Sequence, residues 1–156
     1  MKINRLDLKN FTVFEKDSFD FNPGINLFVG ANGTGKTHIL KLLYSAVAVC
    51  GTDISFGTKL TNVFRPSNMA PGRLVNRKKG SSGAEIGVTS STDIRLKSTF
   101  SNHTTLKESI ETTAEKKWKK QNLSGIFIPA KEILSHAQGF NALYSEGDIP
   151  VSEIYN

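Results

Sequence analysis

The chain has 156 residues, of which 38% are hydrophobic and 22% charged, and this composition fits one soluble domain and excludes a disordered chain. The longest apolar stretch, residues 39–50, is too short to span a bilayer, and no secretory signal precedes the first strand pattern. We therefore expect a cytoplasmic protein without a membrane partner. The single cysteine, Cys50, excludes a disulfide framework and is interpreted as a small core residue, and the three separated histidines offer no zinc-ligand spacing.

The first thirty residues predict three short strands. Leu6 and Leu8 alternate with charged neighbours, and Phe19 and Phe21 flank an aspartate, as in half-exposed strands. The third segment, residues 25–29, is apolar at nearly every position. This pattern is typical of a strand that a parallel sheet buries on both faces.

A helix is predicted after the third strand. Between residues 37 and 50 the apolar positions surround most of the helix circumference, so we expect a buried helix. Residues 51–83 are poorly patterned and predict loops, including a mobile one at residues 79–83.

Alternation returns in the second half of the chain. Residues 84–112 predict a three-stranded antiparallel meander, although its third strand can instead open a helix that continues through Lys120. A further apolar strand is expected at residues 126–128 and a short helix at residues 130–137.

Residues 30–37 match the phosphate-binding P-loop pattern G-x-x-x-x-G-K-[ST]. Glycines at its fixed positions let the backbone turn tightly and bring successive N–H groups against phosphate oxygens. The following helix directs its positive end at the same phosphates. Lys36, the predicted catalytic residue, can reach the β and γ phosphates, and the Thr37 hydroxyl can bind Mg²⁺. The predicted nucleotide-binding residues are Gly30, Ala31, Asn32, Gly33, Thr34, Gly35, Lys36, Thr37 and His38.

A longer pattern surrounds the P-loop, formed by Ile3, Leu6, Leu8, Asn10, Phe11, Phe14, Phe19, Phe21 and Gly24, with Asn32-Gly33 inside the loop. Through these residues the first fifty positions resemble the N-terminal part of the SMC, Rad50, RecF and OLD branch of ABC-type ATPases. The resemblance implies an α/β P-loop NTPase fold, an ABC/SMC-like head lobe with an antiparallel β subdomain, and ATP and Mg²⁺ as cofactors. It also implies a partial ATPase domain over residues 1–156, divided into residues 1–50, 84–112 and 123–156.

Three motifs of this branch lack a convincing match: the LSGGQ-like signature, the Walker B strand ending in Asp-Glu, and the switch histidine. Leu123-Ser124-Gly125 matches the start of the signature, but it precedes an apolar strand where the signature opens a helix, so we interpret the match as coincidental. No apolar run of four ends in Asp-Glu, so the carboxylates that support magnesium and activate water are missing. We therefore expect an ATP-binding lobe that needs a C-terminal half for hydrolysis.

Several single residues have two interpretations. Phe11 and Phe14 lie where the branch often places side chains near adenine, but aromatic residues near a strand end are more often core. Thr12 stands where several relatives carry a basic residue. Gln138 is a candidate Q-loop glutamine or a surface residue at a helix end, and His136 beside it is expected to be exposed.

Basic residues are concentrated in the middle of the chain. Residues 71–125 carry eleven Lys and Arg against five Asp and Glu, and most belong to two clusters: Arg73 with Arg77, Lys78 and Lys79, and Lys116, Lys117, Lys119 and Lys120 around Trp118. Such clusters can meet phosphate backbones while the tryptophan stacks on a base, or they can simply be a solvated surface. The segment 73–120 is thus a candidate nucleic-acid interface.

The leading hypothesis is the ATP-binding lobe of an SMC/Rad50/RecF-like ATPase in a DNA-associated system. The stretch 127–135 also resembles a segment of stand-alone bacterial AAA/ABC-like ATPases, some of them anti-phage, so repair and defence both stay open. Because the family sandwiches nucleotide between two heads and the P-loop strand has an unpaired side, we expect a homo-oligomer or a C-terminal partner chain. The alternatives are a self-sufficient P-loop kinase using Arg73 and Arg77 as lid residues, and a nucleic-acid-binding module with a vestigial P-loop.

Overall fold

Five strands form one antiparallel sheet in the order β2-β1-β3-β4-β5. The computed structural model describes residues 1–77 and 79–128. The strands are β1 (Ile3–Phe11), β2 (Phe14–Asp20), β3 (Gly83–Ser90), β4 (Arg95–Ser101) and β5 (Glu111–Thr113). The alternation correctly located β1 and β2 as strands, which the structure pairs as a hairpin, and β3 and β4 as the start of a meander. The third meander strand is only three residues long and begins after Ile110.

The two faces of the sheet differ sharply, as the period of two requires. The inner face is apolar, and its buried side chains include Leu6, Leu8, Ile86, Val88 and Leu96. On the outer face Asp7 binds Arg5 and Arg95 at N–O distances of 2.9 and 3.1 Å. Gly87 makes room for this pairing, since a Cβ there would lie 2.7 Å from a guanidinium nitrogen of Arg95. The core therefore lies on the inner face of the sheet.

The helices are α1 (Lys36–Val47), α2 (Phe56–Phe64) and α3 (Glu115–Lys119), and α1 packs against α2. In α1 the side chains of Ile39, Leu42 and Ala46 are buried, whereas Leu40 is 44% exposed. The expectation of a helix buried around most of its circumference is therefore wrong, and α1 covers the core with one face only.

Helix α2 lies inside residues 51–83, where only loops were expected. Ser55 begins it, because the Ser55 hydroxyl accepts a hydrogen bond from the Thr58 N–H at 3.1 Å. The buried side chains of Phe56 and Leu60 then follow at helical spacing. The same region also holds short 3₁₀ turns at Ser67–Met69 and Pro71–Leu74.

The predicted buried strand at residues 25–29 is absent from the described sheet. Ile25, Leu27 and Val29 are 96%, 83% and 84% exposed, while Phe28 packs its ring 6.2 Å from the rings of Phe19 and Phe21. A strand needs neighbours for its backbone N–H and C=O groups, and none of the described strands runs beside this segment. Phe28 therefore packs the segment against Phe19 and Phe21, whereas the side chains of Ile25, Leu27 and Val29 are exposed to solvent.

Met1–Gly125 forms one compact unit, and Ile126–Asn156 forms a second. The second unit is described only over residues 126–128, which form no strand and leave Ile126 and Ile128 exposed, contrary to the sequence prediction. The predicted helix at residues 130–137 lies outside the described residues. In the described part of the chain, no helix is long and apolar enough to cross a membrane.

Candidate nucleotide-binding site

The P-loop, residues 30–37, leads directly into the N-terminus of α1. Gly35 is the N-cap of that helix at φ +92°, a left-handed conformation that favours glycine. No side chain caps the helix, and its first turn contains no acidic residue. The N–H groups of the first turn and the positive end of the helix dipole are therefore left for an anionic group.

Gly35 is also the point where the hairpin of β1 and β2 touches the loop. A Cβ on Gly35 would lie 2.5 Å from Cζ of Phe14 and 2.7 Å from Cγ2 of Val13. These distances are well inside van der Waals contact, so only glycine fits. Val13 in the β1–β2 turn and Phe14 at the start of β2 therefore pack directly against the loop at Gly35.

Side chains of the loop bind its own backbone. Lys36 Nζ donates hydrogen bonds to the carbonyl oxygens of Gly30 and Ala31, each at 2.7 Å. The Thr34 hydroxyl donates to the same Ala31 carbonyl at 2.9 Å. The Lys36 ammonium is therefore held at the start of the loop, close in sequence and space to the uncapped end of α1.

One side chain of the loop, Thr37, could hold a magnesium ion. Among the described residues, no group of three His, Cys, Asp or Glu side chains is placed to hold a metal ion. Thr37 is exposed at the first turn of α1, and its hydroxyl offers one oxygen ligand. Mg²⁺ commonly completes its coordination with phosphate oxygens and water, so one protein ligand suffices.

His38 lies on the side of α1 that faces α2. Its ring centroid is 5.7 Å from that of Phe64, and its Nδ1 is buried without a hydrogen-bond partner. Burial, together with the nearby Lys41 ammonium, lowers the pKa of His38 below its usual range. The imidazole is therefore neutral at pH 7, and its contact is with α2, while a contact with nucleotide stays a prediction.

Both aromatic candidates near the hairpin turn are core residues. Phe11 is fully buried, with its ring edge-on to Phe64 at a centroid distance of 5.4 Å, and Phe14 is buried against the ring of Phe19 at 5.8 Å. Thr12 has its N–H bound to a carbonyl and its hydroxyl oxygen buried without a partner. Of the two interpretations of Phe11 and Phe14, the packing favours the core.

Trp118 contradicts the idea of a base-stacking surface. Its side chain is fully buried, and the indole N–H donates to the carbonyl of Ala46 in α1 at 2.7 Å. Cys50 packs nearby, with Sγ 3.6 Å from the Trp118 carbonyl, and it is partly buried at the edge of the core, which raises the pKa of its thiol. Sequence reasoning missed this packing because the flanking lysines suggested a surface.

The remaining candidates are partly outside the described residues. Leu123 is buried and no helix begins at residues 123–125, which agrees with a coincidental signature match. Lys78, His136 and Gln138 lie outside the described residues.

The family follows from sequence comparison. A profile described as the AAA ATPase domain matches residues 1–138, most of the chain. The chain belongs to the AAA ATPase domain family. Its α/β P-loop fold class and its resemblance to the N-terminal part of SMC/RecF-like ABC-type ATPases are thereby confirmed.

Relatives of this AAA ATPase domain chain carry the description "DNA replication and repair protein RecF". The protein from Lactococcus lactis subsp. lactis is 43% identical over 44 residues, which are 28% of this chain and 12% of the relative. That from Flavobacterium johnsoniae is 48% identical over 44 residues, with the same two shares. That from Streptococcus pneumoniae strain ATCC 700669 is 33% identical over 89 residues, 57% of this chain and 24% of the relative. The matched residues thus cover between 12% and 24% of the length of these relatives.

Proposed function

We propose that residues 30–37 bind ATP with Mg²⁺ and that this chain is the nucleotide-binding part of a RecF-type ATPase. The observation that carries the proposal is the uncapped N-terminus of α1 beside a loop closed by Lys36. An anionic ligand there meets free N–H groups, a helix dipole and an ammonium group together.

Each residue of the loop has a distinct role in this proposal. The N–H groups around Gly33 and Gly35 would hold the β phosphate, and Lys36 would exchange its carbonyl partners for phosphate oxygens. The Thr37 hydroxyl would hold Mg²⁺, which would supply positive charge to the phosphates. Lys36 is accordingly the residue whose loss matters most for ATP affinity.

Hydrolysis, we propose, requires residues that a further part of the ATPase or a partner chain supplies. The sequence contains no apolar run ending in Asp-Glu, and the matched residues cover only 12% to 24% of the relatives described above. The 156 residues alone are expected to bind ATP with little or no turnover.

Association with DNA is the second element of the proposal. The relatives are described as DNA replication and repair proteins, and residues 71–125 carry a clear basic excess. DNA repair and anti-phage defence are both compatible with an ATPase of this type. Because Trp118 is buried, we assign nucleic-acid contacts to basic side chains and not to base stacking.

The ATP site is tested with Lys36→Ala, using Lys16→Ala, an exposed lysine of β2, as the matched control. At an ATP concentration of about 100 times Kd, binding stabilises the native protein by about 2.7 kcal/mol, which raises Tm by several degrees. We expect this shift in the wild type and the control and no shift in Lys36→Ala.

An unchanged ATP-dependent shift in Lys36→Ala would remove the site assignment. Rapid phosphoryl transfer by the purified chain to an added acceptor would favour the kinase alternative instead. A salt-dependent nucleic-acid affinity without any ATP-dependent shift in the wild type would favour a binding module with a vestigial P-loop.

A further inference from the structure

A polar cavity lies outside the P-loop. It has a volume of about 400 Å³ and is lined by residues that include Arg73, Asn76, Arg77, Ser82 and Asn102, here called the arginine pocket. None of residues 30–37 lines it. Its volume falls within the usual range for sites of small ligands.

The wall of the arginine pocket is held by hydrogen bonds. Asn102 Oδ1 accepts from the Ser82 N–H at 3.1 Å, and Asn102 Nδ2 donates to the Gly80 carbonyl at 3.1 Å. Gly72 packs closely against the same asparagine, since a Cβ there would lie only 2.6 Å from the Asn102 carbonyl oxygen. These contacts hold Asn102 against residues 72–82, which form the rest of the lining.

Three donor side chains of the pocket, Arg73, Arg77 and Ser82, form no side-chain hydrogen bond or ion pair with the described residues. Arg73 and Arg77 are exposed, and within residues 1–77 and 79–128 neither forms an ion pair. The Ser82 hydroxyl oxygen is buried without a hydrogen-bond partner, although a buried hydroxyl is normally satisfied. Two unneutralised guanidinium groups and an unused hydroxyl thus share one concave site.

The chemistry of the lining favours one class of ligand. The described lining residues include no acidic and no aromatic side chain, and the charge that they carry comes from two guanidinium groups. Guanidinium groups bind phosphate oxygens in a bidentate manner, and a serine hydroxyl can donate to a third oxygen.

We propose that the arginine pocket binds a phosphate group, with Arg73 and Arg77 supplying the charge and Ser82 a hydrogen bond. The phosphate belongs to a nucleic-acid backbone or to a free nucleotide, and both present the same oxygens. If the phosphate belongs to a nucleic acid, this proposal rests on the proposed association with DNA and assigns that association a specific site.

The test uses the double variant Arg73→Gln/Arg77→Gln and, as a control with the same loss of charge, Lys2→Gln/Lys16→Gln, whose lysines are exposed and lie outside the basic segment 73–120. Binding of a labelled oligonucleotide, single-stranded and duplex, is followed by fluorescence anisotropy at several salt concentrations. We expect the arginine variant to bind at least about tenfold more weakly, with a salt slope reduced by about 1 to 2, and the lysine control to change much less.

A second arm tests the free-nucleotide source. In the Lys36→Ala background, calorimetry with ATP and with inorganic phosphate measures binding outside the P-loop, and the arginine changes should abolish whatever remains if the source is a free nucleotide. Ser82→Ala, which keeps the charge, should weaken the same ligand several-fold.

The inference is overturned if the arginine and lysine variants lose oligonucleotide affinity equally and no phosphate binding depends on Arg73 and Arg77. The ATP-dependent thermal shift of the arginine variant shows that it is folded. It also separates the two proposals, because the P-loop site can persist when the arginine pocket fails.

Discussion

Gly35 meets two independent requirements at one position. Its φ of +92° costs most residues about 1–2 kcal/mol, and its missing Cβ admits Val13 and Phe14. The P-loop pattern predicted a glycine here for its phosphate contact. The close approach of the hairpin was not predictable, since it joins residues more than twenty positions apart.

Substituting Gly35 should therefore damage both folding and binding. Gly35→Ala is expected to lower the free energy of unfolding by about 2–4 kcal/mol, from the strained φ and from overpacking, and to weaken ATP binding. Urea denaturation with and without ATP measures both effects.

The matched control is Gly24→Ala, at φ +89° with no atom within 4 Å of the added Cβ. It should lose only about 1–2 kcal/mol, from the backbone strain alone. Equal losses in the two variants would show that the hairpin does not press on the loop.

Other single residues show which parts of the candidate sites can be predicted from sequence and which depend on the fold. Gly30, Lys36 and Thr37 are predicted site residues because the P-loop pattern itself encodes their chemistry. The arginine pocket was not, because Ser82 and Asn102 meet Arg73 and Arg77 only through the fold. Neighbouring charge predicted a surface role for Trp118, whereas its hydrogen bond to α1 buries it.

Helix α3 is joined by hydrogen bonds to both longer helices. Trp118 bonds a carbonyl of α1, and the Glu115 carboxylate accepts a hydrogen bond from the Phe56 N–H at the start of α2. The acidic side chain also lies at the favourable end of the α2 dipole. This five-residue helix therefore connects elements that precede it by more than fifty positions.

Trp118→Phe tests that connection. The change removes the indole hydrogen bond and leaves part of the site unfilled, so we expect a loss of about 1–3 kcal/mol in unfolding free energy, measured by urea denaturation. The exposed neighbour Lys117→Ala should change stability by less than about 0.5 kcal/mol. Lower oligonucleotide affinity at unchanged stability would instead place the ring at a nucleic-acid surface.

Elements with strong alternation were predictable and those depending on neighbours were not. β4 shows the period of two along its whole length, and β1 and β3 show it over part of theirs. The polar residues Thr58, Thr61 and Asn62 obscured α2, although its Ser55 cap was a usable signal. Segment 25–29 has the composition of a buried strand, but its pairing depends on other chain segments.

For the molecule as a whole, segment 25–29 is the strongest sign of an interaction. Three large apolar side chains, Ile25, Leu27 and Val29, are almost fully exposed on one short stretch. Exposed apolar surface next to unpaired backbone favours association. We therefore expect the chain to associate with itself or with a partner through this segment.

Sedimentation velocity over a range of concentrations tests this expectation. The wild type should show concentration-dependent association, which Ile25→Lys/Leu27→Lys should reduce. Leu106→Lys, at another apolar side chain that is 62% exposed, should leave the association unchanged. A strictly monomeric wild type at high concentration would contradict a docking role for the segment.

Binding of ATP at residues 30–37 can be followed residue by residue through backbone amide chemical shifts during titration with MgATP. We expect the largest changes at Gly33, Gly35, Lys36 and Thr37, where the loop meets the uncapped end of α1. If saturating MgATP leaves these amide shifts unchanged, or changes only amides elsewhere in the chain, residues 30–37 are not the ATP site.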